Sequence, residues 1–200
     1  SAYIWGMDMN IDVNQLVKLG IIPAPDDEVV IEQGNLISNN NTEDPYSVLF
    51  GWSLPNAIVC DQAWKEYRLK MLAYLKDECA DEEREEYLSK IQTEDFHWNW
   101  FNKSRCYNTE EYKWFFLKTG DSVEAACLIY FPKKSALNDD NIFYVEFIAV
   151  APWNRLTPLE KKRYNGVGKK LLQAVIKYSA ATLGYKYGFC LHSLPQAQGF

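Results

Sequence analysis

Phe143 to Lys170 reads FYVEFIAVAPWNRLTPLEKKRYNGVGKK, and this stretch decides the reading of the chain. Phe143–Val150 is aromatic, β-branched or apolar at every position but Glu146, the composition of a strand buried on both faces. Pro152 ends the strand, and the loop that follows closes on Arg163-Tyr164-Asn165-Gly166-Val167-Gly168, where a helix begins. Gly166 and Gly168 let backbone amides approach a ligand closely. The helix start adds N–H groups without intrahelical acceptors and a positive dipole end. Strand, glycine loop and helix start together suit an anion such as a pyrophosphate, with Arg163, Lys169 and Lys170 adding charge.

Two other glycine loops fail on spacing. A phosphate loop of the Walker type needs Gly five residues before its Gly-Lys and Ser or Thr after the Lys, and the chain has Arg163 and Lys170 there. A dinucleotide fingerprint needs a third glycine where Leu171 stands.

The neighbouring segments extend the pattern in both directions. Downstream, Val167, Leu171, Val175 and Tyr178 form one stripe of a helix over 166–183, Gly184 suits its C-terminal cap, and Tyr187–Leu191 reads as a short strand. Upstream, Trp114–Lys118, Thr119-Gly120-Asp121 and Val123–Phe131 read as a β-hairpin. Asp61 is a plausible N-cap for a long helix carrying Trp64, Tyr67, Met71, Leu72 and Leu75 at helical spacing. Asp77–Glu86, with one Arg among seven acids, reads as a solvated helix face. Residues 1–60 look loop-rich, with Val29–Ile31 a strand candidate. The order predicts an α/β (α+β) fold around a mixed sheet, with residues 1–60 as an extension packed on a domain of residues 61–200.

Composition narrows the class. The 200 residues carry 21 basic and 27 acidic side chains, and 48% are apolar, so the chain has the makeup of a folded domain rather than a disordered one. An acidic total argues against general nucleic-acid binding. No apolar run is long enough for a membrane helix, and five scattered cysteines contain no zinc spacing. Wide cysteine spacing and a start without a basic and apolar leader point to the cytoplasm. Oligomeric state stays open, a homodimer among the options.

The deciding stretch resembles the acetyl-CoA motif of the GNAT superfamily of N-acetyltransferases. Val150-Ala151-Pro152-Trp153-Asn154-Arg155 matches the first part of that motif, and Arg163-Tyr164-Asn165-Gly166-Val167-Gly168 the second. In the usual pattern one Arg serves both parts. Here Arg163 follows Arg155 by eight positions, as if the loop carried an insertion, while keeping its spacing to the glycines. Ala197-Gln198-Gly199-Phe200 is similar to the family's later A-x-x-F segment, with Leu194 in place of its usual Asn.

The resemblance implies a mostly antiparallel sheet flanked by helices, whose central strand splays from its neighbour. It implies acetyl-CoA as acyl donor, held by Ile148, Ala149 and Val150 on the strand and by Arg163, Tyr164, Asn165, Gly166, Val167, Gly168 and Lys169 on the loop. Glu146 is the expected general base, since period-two alternation puts it with Tyr144 and Ile148 near the thioester. The family's general acid is a Tyr just past the A-x-x-F segment. The options are a longer natural chain, whose missing last strands would follow, or Ser193, His192 or a water in that role. The expected reaction is acetyl transfer to a primary amine by direct attack in a ternary complex. The alternative is a non-catalytic acyl-CoA-binding or protein-interaction module on the same fold.

Charge is unevenly placed. Residues 153–200 hold eight basic residues and one acidic, a net of +7, which leaves −13 on residues 1–152. An anionic donor at the glycine loop and a cationic amine acceptor on the acidic, aromatic-rich part fit that division.

Overall fold

A computed structural model describes residues 13–21, 24, 28–186 and 188–191. Its centre is a six-stranded sheet in sequential order: β1 (Val29–Ile37), β2 (Glu43–Phe50), β3 (Tyr112–Thr119), β4 (Ser122–Lys134), β5 (Asn141–Val150) and β6 (Phe189–Leu191). The first five strands pair antiparallel, and β6 joins β5 in parallel. The expected mixed, mostly antiparallel sheet with flanking helices is therefore what the chain forms.

Each face of the sheet carries its own apolar layer. On one, α5 (Val167–Ala181) packs Val167, Leu171, Ala174 and Val175 against Phe115, Leu117, Cys127 and Val145. On the other, α2 (Leu54–Asp77) and α4 (Trp100–Cys106) pack Ala57, Trp64 and Trp100 against Trp114, Phe116, Leu128 and Ala149. A short helix, α1 (Val13–Lys18), precedes the sheet. Helix α3 (Asp81–Lys90) has no buried residue, so the acidic run is a solvated face as its composition predicts.

Two boundaries differ from the sequence reading. Helix α2 starts at Leu54, because the Ser53 side chain accepts from the Asn56 amide and Pro55 suits the first turn. Asp61 does hold a helix start, but that of α4: its carboxylate accepts from the Trp100 and Phe101 amides, each at 2.8 Å. In place of an extension ending at residue 60, residues 29–50 supply two strands of the central sheet, and residue 60 lies inside α2. Tyr164 secures this hairpin to the rest, pairing with Ser38 and donating its hydroxyl to Asp44 at 2.8 Å.

Candidate functional site

The register of β4 against β5 carries the most consequential local feature. Leu128 faces Phe147 and Ile129 faces Val145, so Glu146 is an extra residue, a β-bulge. The bulge breaks the alternation. Val145 and Ile148 both pack toward α5, while Phe147 packs with the opposite layer. Ile148 therefore does not share the Glu146 face as simple alternation predicts; the inserted residue switches it.

The bulge side is aromatic. Phe147 meets Trp98 at 5.0 Å and Tyr107 at 5.7 Å between ring centroids. Lys103 of α4 lies over Phe147, its Nζ 3.2 Å from the ring centre, and 5.0 Å from that of Trp98. Burial lowers the Lys103 pKa to about 8, against the pull of the Glu146 carboxylate. Burial also raises the Tyr112 and Tyr144 hydroxyls, and Glu146 adds to both shifts.

Beyond the bulge, β5 offers backbone on its other edge. The Ala151 amide donates to the Glu124 carbonyl, so the alternating ladder turns the N–H and C=O of Val150 and Ile148 away from β4. Pairing of β5 with β6 covers only Phe143–Val145, so among the described residues no strand pairs with Ile148 or Val150 on that edge. Arg155 reaches it, donating from Nε and Nη2 to the Val150 carbonyl at 3.0 and 2.8 Å. The same guanidinium grips both Asp95 carboxylate oxygens, so Arg155 clamps the strand end and the segment before α4.

The loop from Pro152 to Gly166 is tied down on every side. Glu124, fully buried, accepts from Trp153 Nε1 at 2.6 Å and Asn154 Nδ2 at 2.7 Å, and from the hydroxyls of Thr119 and Ser122. Asn154 Oδ1 in turn accepts the Tyr164 amide at 3.1 Å. Gly166 takes φ 71°, a left-handed turn that leads into α5. The Lys170 amide makes the first helical bond, to the Gly166 carbonyl, so the N–H groups of Val167, Gly168 and Lys169 precede any intrahelical acceptor.

A cleft of about 730 Å³ brings Val150 together with Gly166, Val167, Gly168 and Lys169, and Lys162 adds a charge that the sequence reading did not single out. The other expected cofactor residues stand apart from it. Ala149 packs on the α2 side. Tyr164 spends its amide on Asn154 and its hydroxyl on Asp44; burial, helped by Asp44, raises its pKa to about 12. The Arg163 guanidinium lies 5.0 Å over Trp153 and pairs with Glu160 at 3.7 Å, and Lys170 turns to the Tyr46 ring. Asn165 is exposed. Ser193, His192 and the A-x-x-F segment lie outside the described residues.

The structure thus brings together a bulged central strand, an edge that no described strand pairs beyond Val145, and the glycine turn that leads into α5. The mixed, mostly antiparallel sheet with flanking helices is the architecture that the resemblance implies.

No family model and no curated protein matches the sequence. Solved structures similar to this chain include acetyltransferases. One is the aminoglycoside acetyltransferase meta-AAC0020 from an uncultured soil metagenomic sample, in complex with sisomicin: 12% identity, TM-score 0.41, 77% of this chain and 81% of that chain covered. Another is the ribosomal-protein-alanine N-acetyltransferase of Brucella melitensis biovar Abortus 2308: 11% identity, TM-score 0.43, coverage 75% and 81%. A third is AAC(6')-Iy in complex with a bisubstrate analog, CoA-S-monomethyl-acetylneamine: 12% identity, TM-score 0.37, coverage 67% and 76%. Among the described residues no helix is long and apolar enough to cross a membrane.

Sequence reasoning missed Glu124, Asp95 and Lys103. Glu124 did leave a signal: it is the one charge within the apolar run Val123–Phe131, as Glu146 is within its own strand. Asp95 and Lys103 lie in polar surroundings and left none.

Proposed function

We propose that this chain transfers an acetyl group from acetyl-CoA to a primary amine, by direct attack in a ternary complex. One observation carries the reading: the outward-facing backbone of Val150 and the first amides of α5 line one cleft. The amides of Val167, Gly168 and Lys169, with Lys162 and Lys169 side chains, suit the pyrophosphate. The edge N–H groups of Ile148 and Val150 suit the pantetheine arm and the thioester carbonyl. A donor aimed at that carbonyl stabilises the tetrahedral oxyanion by roughly 3–4 kcal/mol.

Glu146 is the proposed base. The bulge puts it on the face opposite Ile148, on the side of the aromatic cluster, where it would take a proton from the incoming ammonium directly or through water. Phe147, Trp98 and Tyr107 form walls suited to a cationic amine. Holding donor and amine together makes the attack effectively unimolecular. Cytoplasmic location, Ser193 as a substitute general acid, and the absence of nucleic-acid or membrane partners belong to the same proposal.

Thiol release from acetyl-CoA with a panel of amines tests it. Turnover is expected, and Glu146→Gln should lower kcat by about 100-fold or more with acetyl-CoA affinity retained. Tight binding of acetyl-CoA without turnover on any amine would favour the non-catalytic module instead. Lys162→Glu should weaken CoA more than pantetheine, which lacks the pyrophosphate; equal losses would remove Lys162 from that role.

A further inference from the structure

The aromatic cluster on the Glu146 side of the sheet already holds an amine belonging to the chain itself. Lys103 projects from α4 onto the face of Phe147, the residue following the bulge, and within cation–π reach of Trp98. It is half-buried, whereas Lys65, Lys76, Lys162 and Lys169 are exposed, and Lys133 and Lys170 lie over other rings, those of Tyr144 and Tyr46. Of the carboxylates acting on Lys103, Glu146 acts most strongly, followed by Asp61; the Cys106 thiol adds a smaller effect. An amine in this position has what an acceptor needs: a wall that orients it, a carboxylate whose charge acts on it and can take its proton through water, and partial desolvation that favours its nucleophilic, neutral form.

We propose that Lys103 is a self-acetylation site, its ε-amine accepting the acetyl group of acetyl-CoA bound along β5 of the same chain. The inference rests on the acetyltransferase reading above. The neutral Lys103 nitrogen attacks the thioester carbonyl, a C–N bond forms and the C–S bond breaks. One amine proton passes to Glu146 through water, and the departing CoA thiolate gains a proton from solvent. Atoms and charge balance with no further reactant. The product is an uncharged amide, so the modification removes the cation that lies over Phe147 and Trp98 and changes which acceptors that wall would hold.

The test incubates the full chain with acetyl-CoA near pH 8 and follows acetylation of each lysine by peptide mass spectrometry. Lys103 is expected to gain one acetyl group at least about tenfold faster than the exposed Lys65 and Lys76, at a rate independent of protein concentration. Glu146→Gln should slow Lys103 by about tenfold or more and leave the exposed lysines unchanged. Excess free CoA supplies a readout that needs no variant: it should suppress acetylation at Lys103 alone. Lys103 modified no faster than Lys65, insensitive to free CoA, or modified at a rate that rises with protein concentration would each overturn the proposal. Parallel calorimetry separates the two failures. Acetyl-CoA binding and turnover on external amines without Lys103 acetylation would remove only this site; no binding of acetyl-CoA would remove the acetyltransferase reading as well.

Discussion

Glu124 Oε2 accepts a hydrogen bond from Asn154 Nδ2 at 2.7 Å, joining the start of β4 to the loop that leads into the glycine turn. The carboxylate has no exposure to water and takes three further donors, from Trp153, Thr119 and Ser122. Asn154 passes the constraint on, because its other side-chain atom holds the Tyr164 amide. Glu124 thus positions the loop without reaching the cleft itself.

Glu124→Ala should therefore cost at least about 3 kcal/mol, since it leaves four donors without their acceptor in a dry interior. Glu124→Gln, which keeps the shape and loses part of the acceptor capacity, should cost less. Urea denaturation measures both. Acetyl-CoA titration of the Gln variant should show weakened binding, and unchanged affinity would separate Glu124 from the loop's function.

Asp95 joins two guanidiniums, Arg155 at 2.5 Å and Arg68 at 3.8 Å, and all three side chains are nearly buried. Removing the shared carboxylate by Asp95→Ala leaves two buried cations and should destabilise by about 3–5 kcal/mol. Arg68→Met should behave otherwise. Its Nε has no hydrogen-bond partner, and burial lowers its pKa. The change should be neutral within about 1 kcal/mol or stabilising. A loss for Arg68→Met as large as that for Asp95→Ala would refute this division of roles.

Gly166 holds a left-handed conformation, and a Cβ there would meet no atom within 4 Å. Gly166→Ala should cost about 1–2 kcal/mol from backbone strain alone, with the fold kept. Because Gly166 lines the cleft, acetyl-CoA should also bind less tightly. A thermal melt with and without acetyl-CoA reads both effects.

Lys103 loses its proton near pH 8 in the folded chain, against the ordinary 10.5. Between those values the unfolded chain binds more protons, so this group adds stability as pH rises and withdraws it as pH falls through 8. Lys103→Met removes the contribution. Denaturation at pH 7.5 and 9.5 should show parent minus variant stability shifting in the parent's favour at the higher pH. A difference that does not change with pH would contradict a desolvated Lys103.

Local pattern made much of the fold legible. The hairpin around Gly120, the apolar strand Phe143–Val150 and the striped helix after Gly168 each follow from residues a few positions apart, and each lies where the sequence places it. Strands β1 and β2 were harder to read, because Gly34, Asn35 and Pro45 interrupt their apolar pattern and their pairing with β3 is nonlocal.

Local sequence alone set the order of elements from the hairpin around Gly120 onward, the glycine turn at the head of α5 and the lone acid of the central strand. Those depend on backbone preference and on periodicity, which neighbouring residues encode. Only the tertiary structure decided that Glu146 is a bulge, that Ile148 consequently changes face, and that Lys103 rests on Phe147. It also decided that Arg155 clamps Asp95 rather than facing an anion alone, and that Tyr164 is consumed by Asn154 and Asp44. Each of these depends on which strand lies opposite or which side chain arrives from far along the chain. One inserted residue against a partner strand reverses every side chain beyond it, and no spacing within β5 alone records that partner.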